Sequence, residues 1–150
     1  MKLTINQSEE YNDIEITINC STVDKPLERL IEQIRLYGFA LHGKKDGTMT
    51  LIPPEDIFYF ESIDGKTFIY KEKDVYECDL RLYEIEERFC KGVFVRISKA
   101  AILNLRKLKS FRTQFNGKLE AQLFNGERLE VNRHYVPELK QRLIEMGGLK

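Results

Sequence analysis

The chain has 150 residues, 42% hydrophobic and 32% charged, and its 24 Lys and Arg balance 24 Asp and Glu to a formal net charge of zero. That length buries one good core with a small appendage and excludes two full domains. No apolar run reaches the ~18 residues of a membrane helix. The N-terminus Met1-Lys2-Leu3-Thr4-Ile5 lacks the long apolar region and small-residue cleavage site of a secretory signal, so a cytoplasmic location is expected.

In chain order, residues 1–47 read as an appendage of one strand and one helix. Ile14, Ile16 and Ile18 alternate with polar residues, the period of a half-buried strand. Asp24 is placed to cap a helix with Pro26 in its first turn, and Leu27, Leu30, Ile31 and Ile34 share one face before Gly38 stops it. His42 to Gly47, rich in Lys, Gly and Asp, reads as a turn or linker.

From Thr48 onward the pattern is short strands separated by turn signals, which favours an all-β core over an α/β one. Met49–Ile52 is the first candidate, ended by Pro53-Pro54. Ile57 to Ser62 carries bulk on both faces and should be covered on both sides. Asp64-Gly65 is a hairpin signal, followed by Thr67–Tyr70 and Val75–Cys78, completing a three-strand meander. Asp79 then caps a helix that places Leu82, Ile85 and Phe89 on one side.

The second half repeats this scheme. Val93–Ile97 is a strand, Ser98 the N-cap of a one-turn helix through Leu103, and Asn104 a candidate left-handed stop. Leu105–Phe115 reads as one long strand. Asn116-Gly117 and Asn125-Gly126 flank Lys118–Phe124 and give a second antiparallel meander. Pro137 opens a last helix with Leu139, Leu143 and Met146 on its apolar side and Gly147-Gly148 as its stop.

Charge is where the chain turns informative about function. Arg88 to Lys118 holds nine Lys or Arg and no Asp or Glu, residues 1–87 hold ten basic against nineteen acidic, and residues 119–150 hold five of each. The three segments therefore carry −9, +9 and 0, and the middle one calls for an anionic partner. Any single cation in it reads equally well as part of a solvated face; nine against none does not.

Catalysis finds no support. The chain has no Gly-rich phosphate loop, no paired histidines at ligand spacing, no Gly-x-Ser-x-Gly and no Cys-His pairing, so no catalytic residue, metal or cofactor is expected. Cys20, Cys78 and Cys90 are odd in number and widely spaced, and read as reduced, mostly buried thiols.

The run Phe60-Glu61-Ser62, the Tyr-rich hairpin after it, Phe94-Val95-Arg96-Ile97-Ser98-Lys99-Ala100-Ala101-Ile102-Leu103-Asn104-Leu105, and Asn125-Gly126 through Asn132-Arg133-His134-Tyr135 together resemble a LytTR-type DNA-binding domain over about residues 48–146. Ala100-Ala101 and Asn132 depart from that family's usual residues without removing a cation. The resemblance implies a mostly β (α+β) fold of small antiparallel sheets packed side by side with short helices, here a domain of residues 48–150 behind an extension of residues 1–47. It also implies loops, not a recognition helix, in the major groove. Its three base-reading loops map onto Lys66 or Thr67, Lys99, and Arg133. Arg and Lys suit guanine O6 and N7. Phosphate contacts would fall to Arg96, Arg106, Lys107, Lys109 and Arg112, with Ser98 as a hydroxyl or helix N-terminal donor.

The implied partner is double-stranded DNA with direct-repeat sites, bound by a transcriptional regulator. The appendage is far too short for a receiver domain of roughly 120 residues. It could instead supply a homodimer interface or a docking site, and the resemblance also admits a regulatory membrane protein as partner. The alternative is an RNA- or acidic-protein-binding β module that uses the same cations without base readout.

Overall fold

Asp24 starts the first helix as expected: its Oδ1 accepts the Leu27 N–H at 3.0 Å, and α1 runs Lys25–Gly38 in the computed structural model. The structure describes residues 1–11, 14–38, 41–90 and 92–147, so Lys91 of the basic segment and Gly148 of the expected stop lie outside the described residues. Seven strands form the main sheet: β1 (Leu41–Lys45), β2 (Thr48–Ile52), β3 (Tyr59–Ile63), β4 (Lys66–Tyr70), β5 (Val75–Cys78), β6 (Phe94–Ser98) and β7 (Ala101–Asn104), in the order β2-β1-β5-β4-β3-β7-β6. β8 (Leu108–Thr113), β9 (Leu119–Leu123) and β10 (Arg128–Val131) form a second sheet in the order β10-β9-β8. All the pairings are antiparallel. Helix α2 (Leu82–Phe89) follows β5, and α3 (Val136–Glu145) ends the described chain. Both expected meanders, β3-β4-β5 and β8-β9-β10, are present.

The central strands are buried on both faces, and this divides the core in two. On one face Phe60, Ile69, Phe94 and Ile102 pack with Leu82, Ile85 and Phe89 of α2. On the other, Tyr59, Val95, Ile97 and Leu103 pack with Leu119, Ala121 and Leu123 of the second sheet and with Leu139 and Leu143 of α3. Successive residues of a strand point to opposite faces, so one strand such as β6 serves both layers: Phe94 goes to α2, Val95 and Ile97 to the second sheet. Arg142 of α3 donates to the carbonyls of Gly92 at 2.6 Å and of Cys90, which ties α3 to the segment entering β6.

Several expectations need correction. His42–Gly47 is no linker. Leu41–Lys45 is a strand paired with both β2 and β5, and Asp46-Gly47 (φ 50° and 79°) is a two-residue turn of the same kind as Asp64-Gly65 (φ 51° and 79°). Gly43 hid the strand, because an interior glycine weakens a strand pattern. A Cβ there would lie 2.4 Å from Ile52 Cδ1 and 2.7 Å from Tyr76 Cβ, so the close approach requires glycine. A boundary after residue 47 thus cuts a hairpin of the main sheet. Conversely, residues 14–20 form no strand, and Ile14, Ile16 and Ile18 are exposed. Alternation says which side chains a strand would bury and does not by itself make a ladder.

Arg81, not Asp79, precedes α2, with its N–H donating to Glu84 Oε1 at 3.1 Å. Ser98 caps no helix, since residues 101–104 are strand β7, buried throughout, and the apolar run Ala101–Leu103 is equally compatible with either element. Asn104 is extended (φ −85°) and buried. Its Nδ2 donates to Ile57 O at 2.8 Å and its Oδ1 accepts the Arg106 N–H at 3.0 Å, capping a 3-10 turn over Leu105–Lys107 that shortens the expected long strand to β8. Cys20 is exposed, while Cys78 is buried and Cys90 half-buried.

Candidate nucleic-acid interface

Four connections meet at one end of the molecule. The β3–β7 register pairs Glu61 with Ala101, so the β3–β4 turn lies beside the β6–β7 turn, and the Ser62 N–H donates to Ala100 O at 2.8 Å. The Asn132 N–H donates to Ile97 O at 2.8 Å, which brings the β10–α3 connection to the same β6–β7 turn. Val131 pairs with Leu119, so the β8–β9 turn joins them, and the stem of Arg133 covers Gly117, where a Cβ would stand 2.6 Å from Arg133 Cδ.

Lys99 sits at the tip of the β6–β7 turn, exposed, in a turn that hydrogen bonds hold at three points. The Ser98 carbonyl accepts from Arg96 Nε at 2.8 Å, the Lys99 carbonyl from Arg96 Nη2 at 2.5 Å, and Ser98 Oγ accepts the Ala100 N–H at 3.1 Å. Arg133 opens a 3-10 turn, Arg133–Tyr135, that Asn132 caps by accepting the His134 N–H at 3.1 Å. Between the two turns lies an open pocket of about 320 Å³ lined by Ser98, Lys99, Ala100, Asn132, His134 and Tyr135. No ion pair to a carboxylate occupies Lys99 or Arg133 among the described residues.

The first hairpin reaches this end through Lys66, exposed and 4.0 Å from Glu77 Oε1. Thr67 is buried at 3% exposure, because the alternation of β4 sends it inward with Ile69. Of the two candidates in that hairpin, only Lys66 faces solvent.

The remaining cations scatter. Arg96 is taken up by the β6–β7 turn and by Glu86 Oε2 at 2.5 Å. Arg112 on β8 pairs with Glu120 at 3.3 Å. Lys109 is exposed on the same strand. Arg106 and Lys107 belong to the 3-10 turn at the far end of β8; there Lys107 Nζ lies 5.0 Å from the centre of the Phe58 ring and the Lys107 carbonyl accepts from Phe124 N–H. The six residues of β8 separate that turn from the site by roughly 20 Å at ~3.4 Å per residue. The basic run is thus continuous in sequence and divided in space.

Sequence reasoning missed Arg81 and Glu86. The Arg81 Nη1 donates to Gly65 O at 3.0 Å and so adds a cation to the first hairpin. Neither residue carries a local signal, because each acts across the fold on a turn formed elsewhere. Among the described residues no group of three or more His, Cys, Asp or Glu gathers at metal-binding spacing, and no helix is long and apolar enough to cross a membrane.

Comparison with known proteins agrees with this geometry. Residues 47–144 match the family model of the LytTr DNA-binding domain. A sensory transduction protein LytT of Enterococcus faecalis is 31% identical over 93 residues, covering 62% of this chain, which spans only 38% of that protein's length. An uncharacterized HTH-type transcriptional regulator of Staphylococcus aureus is 25% identical over 150 residues, covering 95% of this chain and 98% of that protein. A solved LytTr DNA-binding domain from Bacillus cereus superposes with a TM-score of 0.67 over 71% of this chain and 98% of that one, at 23% identity, which supports the fold. The match over nearly two thirds of its length shows that the chain belongs to the LytTr DNA-binding domain family.

Proposed function

We propose that this chain is a transcription regulator that binds duplex DNA through its four-turn end and reads bases in the major groove with Lys99, Arg133 and Lys66. The observation that carries this reading is the Asn132–Ile97 hydrogen bond of 2.8 Å, which brings the turn bearing Arg133 against the turn bearing Lys99, two exposed cations from distant parts of the sequence. Arg and Lys donate to guanine O6 and N7, and a good bidentate pair is worth about 1–3 kcal/mol of discrimination. Arg106, Lys107, Lys109 and Arg112 serve the phosphate backbone in this reading, with the Ser98 hydroxyl as a further donor. Thr67, being buried, takes no part in base readout in this reading.

Direct-repeat sites would seat two copies. The extension ahead of Leu41, rich in exposed apolar side chains such as Leu3, Ile5 and Ile16, is a candidate for pairing those copies or docking a regulatory membrane protein. Selecting bound duplexes from a random pool, then comparing wild type with Lys99→Ala and Arg133→Ala on the selected and a scrambled duplex, tests the reading. Each variant is expected to lose discrimination at one base position. Equal binding of all duplexes, or a preference for single-stranded RNA, would overturn it.

A further inference from the structure

The position of Arg96 within the sheet determines what its guanidinium can do. It lies two residues after Phe94 and therefore on the same face of β6, the face covered by α2. There the Phe94 ring meets Phe89 edge-on at 5.8 Å, and Glu86, one helical turn before Phe89, is carried to within 2.5 Å of Arg96 Nη1. The other donors of the fork point along the strand into the turn, Nε to Ser98 O at 2.8 Å and Nη2 to Lys99 O at 2.5 Å. The β6–β7 ladder is irregular between Arg96 and Ser98 and resumes only with the Ser98–Ala101 pair, so the turn stands beyond a bulge and side-chain donors add to the single pair that closes it. Only 18% of the Arg96 side chain is exposed.

We infer that Arg96 is a positioning residue for base readout and not a phosphate contact: its guanidinium braces the Ser98–Lys99 turn against α2, so that Lys99 meets the base from a backbone already in its bound shape. This rests on the assignment of Lys99 as a base reader. A planar guanidinium can donate to two carbonyls and a carboxylate at once, and an ammonium cannot reproduce that fork. A brace of this kind acts by lowering the ordering cost paid on binding, which strengthens the specific complex more than the non-specific one.

The test separates charge from fork. Arg96→Lys keeps the cation and removes the fork. It is expected to leave binding to a scrambled duplex and its salt slope unchanged, and to reduce discrimination for the selected duplex about tenfold. In a Lys99→Ala background the same substitution should reduce discrimination no further. In the free protein, hydrogen exchange at the Ala100 amide, whose acceptor is Ser98 Oγ, should speed up in Arg96→Lys. Glu86→Gln, which leaves both carbonyl contacts in place, should give a smaller change in the same direction and serves if Arg96→Lys folds poorly. Full discrimination in Arg96→Lys, or additive losses in the double variant, overturns the inference while leaving Lys99 as a base reader. So does a lower salt slope in Arg96→Gln with discrimination intact, the mark of a phosphate contact. A wild type that does not discriminate, or loses nothing on Lys99→Ala, sinks the base-reading assignment itself.

Discussion

Residues of this domain divide into those that hold the fold and those that leave it to meet a partner, and the two groups should separate in measurement. Leu123 is fully buried between the sheets, so Leu123→Ala is expected to destabilise by about 2–5 kcal/mol, the transfer and cavity cost of a large-to-small core change. Lys99 projects from a turn held by the Arg96 guanidinium and Ser98 Oγ and not by its own side chain, so Lys99→Ala should shift Tm by about a degree or less. Thermal melts of the two variants check both; a collapse on Lys99→Ala would make that residue structural. The thiols divide in the same way. Burial pushes the Cys90 thiol up to about 12, with Glu86 adding to the rise, and burial also raises Cys78, whereas Cys20 is exposed. The reactive species is the thiolate. Iodoacetamide at pH 8 should therefore alkylate Cys20 and leave Cys78 and Cys90 largely unmodified, as peptide mass spectrometry would show.

Elements were legible where a pattern and a punctuation mark agreed. The Asn116-Gly117 and Asn125-Gly126 turns, with φ of 83° and 89° at their glycines, announced the second sheet because only a few residues accept that backbone. The site was legible as three loops and a charge excess, but not as an assembly, since the Asn132–Ile97 and Ser62–Ala100 hydrogen bonds join residues no local pattern relates. Strand β1 was hidden by Gly43, and residues 14–18 form no strand in spite of their alternation. These two reversals move the useful truncation point. A chain starting at Thr48 loses β1, and with it buried Leu41 and the pairings to β2 and β5. It should melt well below the full chain. A chain starting at Val23 keeps α1 and the whole main sheet, and its Tm should match the full chain closely. Calorimetry on the two truncations decides between them, and sedimentation of the shorter deletion tests whether residues 1–22 pair two copies.

At the scale of the molecule, net neutrality conceals a charge separation that folding redistributes. Of the nine cations in the basic segment, Lys99 reaches the four-turn end, Lys109 and Arg112 line the edge strand β8, and Arg106 with Lys107 stand at its opposite end. Counterion release counts contacts with phosphates, at close to one unit of slope in log affinity against log salt for each contact on duplex DNA. If duplex DNA lies across the four-turn end, contributions should fall along β8 with distance from the turns. Arg112→Ala and Lys109→Ala are then expected to weaken selected and scrambled duplexes alike and to lower the salt slope by about one each. Lys107→Ala, beyond the far end of the strand at roughly 20 Å from the turns and held over the Phe58 ring, should lower it by less. Titrations at several salt concentrations give the three slopes directly. Equal slopes for all three would mean that the duplex runs along β8 instead of across its end, which would place the backbone contacts on the second sheet and turn the docking geometry by about a right angle. No change in any of them would return β8 to a solvated edge and leave the turns alone to hold the DNA.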